Sequence, residues 1–338
     1  MKAITLQAPG GLENLQLTDL TDPGQPGTGE IRVAIHATSL NFHDLLVANG
    51  SIPTADQRIM MADGAGVVEA VGDGVTDFKP GDHVVSTFFP QWADGLAFDS
   101  VGDFRQTPGD GANGFAAEFV VRPSTHFTLA PEGWSHAEAA TITTSGLTAW
   151  RALVVDAGLK AGDTVLTLGT GGVSITALQI AKSMEAKVII TSSSDEKLAR
   201  ASELGADHVI NYRTNPDWGK AVRELTNGKG ADVVIELGGP GTMAQSIEAV
   251  RVGGHIALIG VLTGREGVIP TSVLMAKQAR IQGLIVGNRR QQHDFVKAMN
   301  QTGIRPVISD SFIGLNSLSE AFSHQSDGAH FGKITVAW

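Results

Sequence analysis

The 338-residue chain contains no cysteine. That excludes disulfides, thiolate metal sites and a cysteine nucleophile together. Long apolar runs are equally missing. No stretch approaches the ~18 residues of a membrane span, and the opening MKAITLQAPGG has no apolar leader core, so a cytoplasmic protein without a membrane partner is expected. Positive charge is scarce: 25 Lys and Arg against 35 Asp and Glu give a net charge of −10, which argues against a nucleic-acid partner. A basic pocket for a single phosphate is compatible with that balance. What remains is a folded composition, 42% hydrophobic and 18% charged, long enough for two domains.

The texture changes along the chain. Up to about residue 125, short β-type runs such as EIRVAIHAT (30 to 38), GAGVVEAVG (64 to 72) and GDHVVST (81 to 87) are separated by turn formers, including DPGQPGTG and DFKPGD. From Asp163 onward, apolar runs alternate with helical patterns: TVLTLG, ITALQIAKSM, KVIITS, EKLARASELG, HVINY, DVVIEL, GTMAQSIEAV and HIALIG. Strands fed by helices at this spacing predict right-handed crossovers and a parallel, doubly wound sheet buried on both faces. The fold class is therefore α/β, with a β-rich part preceding. A helix is predicted over RQQHDFVKAMNQTG, before a short tail ending GKITVAW.

Between the first apolar strand and its helix lies Gly169-Thr170-Gly171-Gly172-Val173-Ser174. It matches the dinucleotide fingerprint G-x-G-x-x-G at two glycines, with serine third. The first glycine permits a tight turn, the second a close approach to pyrophosphate, and the third position needs a small residue. The following helix N-terminus supplies N–H groups and partial positive charge for an anion. Without that ligand, the motif is a tight structural turn.

NAD sites place Asp or Glu about 20 residues on, for the ribose 2′-OH; NADP sites replace it with small polar or basic groups. Here the second strand ends Thr191-Ser192-Ser193-Ser194, and Asp195 suits the start of the next helix. Lys197, in that helix's first turn, either meets a 2′-phosphate or is a solvated surface lysine. Tyr212 and Arg213 follow the next strand and are placed to complete the pocket. The cofactor predicted is NADP(H).

These segments, with SLNFHDLLVANG, GAGVVEAVGDGVTDFKPGDHV, LTAWRAL, LGADHVINY and GKITV, resemble the medium-chain dehydrogenase/reductase superfamily over nearly the whole chain, near its zinc-free alcohol dehydrogenase and quinone oxidoreductase members. The resemblance implies a GroES-like catalytic domain from residues 1–125 and 289–338, a Rossmann domain from 126–288, and an active site in a cleft. It also implies a homodimer joined through Rossmann edge strands, here around IALIGVLTG. Where zinc-dependent members hold catalytic metal, this chain has Asn41, Ala62 and Thr144, and residues 88 to 115, the place of a structural zinc lobe, have no cysteine. Neither zinc is expected. His43, Asp44 and Asp63 do not form a recognised ligand spacing.

Without a Lewis acid, developing charge must be met by hydrogen bonds, which suits quinones, enones or related carbonyls, whose charge delocalises. The resemblance puts His43 where zinc enzymes carry a proton-relay hydroxyl, making it the candidate acid; ordering water or packing in the cleft is its other use. Asn41 suits orientation of substrate or nicotinamide, or a bond to its own backbone, and Asp44 suits support of its neighbours. Phe88 and Trp92 either wall an apolar substrate pocket or belong to a core. Thr148 lies where the resemblance puts a helix beneath the nicotinamide. Gly238, Gly260 and Val261 follow later strands, at the carboxyl ends where ligands bind. Asn288 and Arg289 come next, the arginine suited to cofactor phosphates or to a surface salt bridge. Two activities fit: hydride transfer to such a small-molecule substrate, with alcohol or ketone chemistry as its neighbour, or catalytically silent cofactor binding.

Overall fold

The near-continuous Val, Ile and Leu runs after residue 163 have nowhere polar to face, so they become strands covered on both sides. A computed structural model describes the backbone of all 338 residues and the side chains of all but residues 99 and 100. The chain divides into two compact units, one made of Met1–Leu147 and Val286–Trp338, the other of Thr148–Ile285.

The Thr148–Ile285 unit is built on a six-stranded sheet in the order His208–Asn211, Lys187–Ser192, Thr164–Leu168, Ala231–Glu236, Val250–Leu258 and Arg280–Gly283. Every neighbouring pair is parallel. In chain order this is 3-2-1-4-5-6, the doubly wound dinucleotide-binding topology, with its switch point between the first and fourth strands. Val165, Leu166, Val234, Ile235 and Ile256 are sealed inside. Each contributes about 1.5–3 kcal/mol relative to an exposed side chain.

The other unit is β-rich. Its seven-stranded sheet runs Ile308–Ile313, Lys333–Ala337, Glu30–Ser39, Ala65–Val71, His83–Ser86 and Phe127–Leu129, with Phe119–Pro123 also paired to Glu30–Ser39. A smaller sheet joins Leu15–Asp19, Lys2–Leu6 and Arg58–Ile59. The strand near the C-terminus, Lys333–Ala337, pairs antiparallel with Glu30–Ser39, so the two chain segments of this unit share one sheet. Gly66 is dictated by that sheet: a Cβ there would stand 1.9 Å from the carbonyl oxygen of Ala34 on the paired strand.

Two expectations are corrected. The boundary lies at 147/148 and 285/286, not at 125/126 and 288/289, because Phe127–Leu129 pairs with His83–Ser86 and is bound into the β-rich sheet. The IALIGVLTG strand is not the sheet edge either. Arg280–Gly283 pairs with it and is itself the outermost strand. That strand, RIQG, is short and half polar, so hydrophobicity alone does not reveal it.

Candidate functional site

The loop after Thr164–Leu168 follows the glycine logic closely. Gly169 has φ +77°, a left-handed conformation disfavoured for residues with a Cβ. Gly171 is the N-cap of the helix Gly172–Ser183, and nothing lies within 4 Å of a Cβ built on Gly169 or Gly171. The loop therefore presents bare backbone to open space. Thr170 between them is buried, and Val173 is partly exposed in the first turn. Ile175 makes the first backbone bond within the helix, to Gly171, so the N–H groups of residues 172 to 174 precede the helical ladder. Ser174 explains the third position: it is fully buried, and its hydroxyl donates to the Leu168 carbonyl oxygen at 2.7 Å. Serine keeps the helix close to the strand and adds a bond that glycine lacks. These residues fit a dinucleotide pyrophosphate.

At the end of the second strand, Ser192 is buried and its hydroxyl oxygen accepts from the Ser194 N–H at 3.2 Å. Ser194 caps the helix Asp195–Glu203 by accepting from the Lys197 N–H. Asp195 is exposed and accepts from the Asn211 amide at 2.6 Å. Ser193 and Lys197 are partly exposed; partial burial, then the neighbouring Arg200, lowers the Lys197 ammonium pKa. The Tyr212 N–H donates to the Ser192 carbonyl oxygen, and its ring is exposed. Hydroxyls and cations thus gather at this strand end.

Gly238 and Gly260 have a different basis. A Cβ would meet Thr242 Oγ1 at 2.3 Å in the first case and the Leu237 carbonyl oxygen at 2.2 Å in the second, so the protein's own packing demands them. The turn is organised by Glu236, which sequence reasoning missed. Its buried carboxylate accepts from the Gly238 and Gly239 N–H groups, the Thr242 hydroxyl and the Ser246 hydroxyl. Val261 is exposed and Thr148 buried. Asn288 and Arg289 belong to the β-rich unit. There Asn288 caps the helix Arg289–Thr302, while the Arg289 guanidinium donates to the Phe127 carbonyl oxygen and pairs with Asp77.

In the β-rich unit, Asn41, Asp44 and Asp63 meet in a buried polar cluster. The Asn41 amide nitrogen lies 2.9 Å from Asp63 Oδ2, 3.0 Å from Asp44 Oδ2 and 3.3 Å from the Ser39 carbonyl oxygen. Asp44 also accepts from the backbone N–H groups of Asn41 and Ala62. Asp63 further accepts from the Ser39 hydroxyl and, on Oδ1, from the Thr144 hydroxyl, each at 2.5 Å. A cation closes the network. Lys333 is buried, donates to the Leu40 carbonyl oxygen and, at 2.6 Å, to Asn41 Oδ1, and lies 4.0 Å from Asp63 Oδ2. Burial pushes the Asp63 carboxyl up to about 6 against the pull of Lys333, raises Asp44 and lowers Lys333. Lys333 lies far from Asn41 in sequence, and only the pairing of its strand with Glu30–Ser39 brings it here.

His43 stands beside this network. Its ring stacks on Phe104 at 5.2 Å and meets the Phe88 edge at 5.6 Å. Its Nε2 is 3.2 Å from Asp110 Oδ2, ion-pair distance without hydrogen-bond alignment. Phe88 and Trp92 are both buried; Trp92 donates to the Gly95 carbonyl oxygen, and with Phe89, Phe98 and Val101 it lines a small apolar recess. Phe104 and Asp110 were not legible as His43 partners.

Zinc is a poor fit to the catalytic positions. Asn41 is bound by carboxylates and an ammonium, Ala62 offers only backbone, and Thr144 is bonded to Asp63. A lysine ammonium already supplies the positive charge of this cluster.

The comparisons match this architecture. Residues 27–132 match the alcohol dehydrogenase GroES-like domain model, and residues 172–302 match the zinc-binding dehydrogenase model. A zinc-type alcohol dehydrogenase-like protein of Schizosaccharomyces pombe is 37% identical over 335 residues, 96% of each chain. Among solved structures, an NAD-dependent alcohol dehydrogenase is 35% identical with a TM-score of 0.90, covering 100% of each chain. The quinone oxidoreductase of Pseudomonas syringae pv. Tomato DC3000 is 29% identical with a TM-score of 0.81, covering 100% of this chain and 99% of that one. A GroES-like sheet and a 3-2-1-4-5-6 dinucleotide sheet in one chain, matched nearly end to end by oxidoreductases, identify the protein as a member of the medium-chain dehydrogenase/reductase superfamily.

Proposed function

We propose that this oxidoreductase uses NADPH to reduce a quinone, enone or related carbonyl without zinc. The observation that carries the reading is the Lys333 ammonium bonded to Asn41 Oδ1 at 2.6 Å, in a cluster whose side chains are unsuited to zinc. When bound, the dinucleotide supplies the hydride. The loop Gly169–Val173 holds its pyrophosphate through backbone N–H groups, and Ser192, Ser193, Lys197 and Tyr212 receive the 2′-phosphate. Thr148, Gly238, Gly260 and Val261 border the nicotinamide half.

On the substrate side, His43 donates a hydrogen bond to the oxygen on which charge gathers, with Asp110 holding its far nitrogen. Asn41 and Asp44 are supports: their polar atoms are bound within the protein. Phe88 and Trp92 back the apolar wall. The alcohol dehydrogenase relatives favour a neighbouring reading, carbonyl and alcohol interconversion, and a simple ketone tests it because it needs more help at oxygen. We also propose a homodimer through the Arg280–Gly283 edge; Met275, on the helix Thr271–Lys277 that precedes this strand, is exposed.

The test is oxidation of NADPH and NADH by chelator-treated protein with a quinone, an enone, an aldehyde and a ketone. Chelator-resistant turnover with NADPH and a quinone or enone is expected. Loss of turnover on chelation would overturn the zinc-free reading. Cofactor binding with no turnover would favour silent binding.

A further inference from the structure

The buried cluster carries an imbalance of charge. Two carboxyls, Asp44 and Asp63, share one ammonium, Lys333, and the Asn41 amide nitrogen bridges the carboxyls at 3.0 and 2.9 Å. In a water-excluded site two carboxylates and one cation leave a net negative charge, which is relieved by a proton on one carboxyl. Ser39, Asp44, Asp63, Asn41 and Lys333 are all buried. Thr144, bonded to Asp63 Oδ1, is the partly exposed member and gives the cluster its outlet.

We propose that the Thr144 hydroxyl delivers the proton that completes the reduction, refilled from Asp63, with Lys333 and Asn41 as positioning residues. When Asp63 is a carboxylate, Thr144 donates to it. When Asp63 holds a proton, the bond reverses: the carboxyl donates to Thr144 Oγ1 and the threonine hydrogen is released toward the substrate anion. In the transfer, the Thr144 O–H bond breaks as the substrate bond to hydrogen forms, and the Asp63 proton passes to Thr144. Water then returns a proton to Asp63 by the same route. The electron pair comes from the reduced nicotinamide, so the balance needs no further reactant. His43 holds the charge on oxygen while Thr144 supplies the proton, an assignment resting on the reductase reading. The charged groups facing Asp63 are Lys333 on the strand Lys333–Ala337 and Asp44 on the helix Phe42–Ala48, with His43 acting on Asp44.

Infrared difference titration of the 338-residue protein without substrate, with carboxyl-labelled aspartate, tests the proton store independently of turnover. A protonated-carboxyl band that disappears as pH rises through about 6 is expected in wild type, with its midpoint moved in Thr144→Val. It should be absent in Asp63→Asn. If Asp63→Asn does not fold, the Thr144→Val shift assigns the band. No such band, or a midpoint indifferent to Thr144, overturns the proposal even if the enzyme turns over. A wild type inactive with every acceptor sinks the reductase reading instead, while the band still reports the store. With an active acceptor, Thr144→Val should lower kcat by ~10²-fold and abolish the alkaline fall of its pH profile, and Thr144→Ser should restore both. An unchanged kcat and profile in Thr144→Val would refute the assignment.

Discussion

Lys197 shows how much one side chain carries at this strand end. It occupies the first helical turn, where the macrodipole disfavours a cation, and it lies near Arg200. An anionic ligand relieves both. Lys197→Ala should weaken NADPH binding by roughly 10–100-fold, the worth of one charge-assisted hydrogen bond, and leave NADH binding nearly unchanged. Fluorescence titration with both dinucleotides checks this; equal losses would mean that no 2′-phosphate is held there. Lys333 is a residue of the opposite kind, buried and serving its own chain. Lys333→Met leaves Asp44 and Asp63 without their cation, and should cost about 3–5 kcal/mol in denaturant unfolding. Lys333→Met combined with Asp63→Asn should recover part of that loss.

Elements explain why glycines that look alike in the sequence differ in purpose. At Gly169 a Cβ would enter open space, so Gly169→Ala strains only the backbone, by about 1 kcal/mol, while intruding on a bound pyrophosphate. Its dinucleotide affinity should fall much further than its melting temperature. Gly66→Ala should give the reverse, an unfolded or aggregated chain, because the methyl would overlap the Ala34 carbonyl in the central pair of the β-rich sheet. Circular dichroism and dinucleotide titration of both variants separate the cases. Ser174 belongs to the joint between strand and helix, and Ser174→Ala should cost about 0.5–1.5 kcal/mol by leaving the Leu168 carbonyl oxygen without that donor.

For the whole molecule, stability should depend on pH through histidines that folding partly or wholly removes from water. His126, His136 and His255 are each lowered from 6.5 to about 4, chiefly by burial. They favour folding above pH 6.5, and that contribution is lost as pH falls through 4, because the unfolded chain takes up the protons first. Asp63, raised to about 6, acts with the opposite sign: its contribution is present below about 3.9 and lost as pH rises through 6. Four lowered histidines, His293 among them, oppose two raised carboxyls, Asp63 and Asp44, so the melting temperature should fall between pH 6.5 and 4; a flat curve would contradict the neutral histidines. At neutral pH, sedimentation should give twice the 35.3 kDa chain mass, and Met275→Glu beside the edge strand should halve it. The sequence alone determined the alternation of strands and helices in the parallel sheet, the glycine-rich turn and the serine-rich strand end, because strand period, glycine spacing and helix starts are local properties. Tertiary structure alone decided that Lys333 joins a cluster begun at Asn41, that Phe104 stacks on His43 with Asp110 at ion-pair distance, and that RIQG is a sheet edge. Each of those depends on strand pairing or packing between residues distant in the chain, where burial turns ordinary polar side chains into a network of charge and hydrogen bonds.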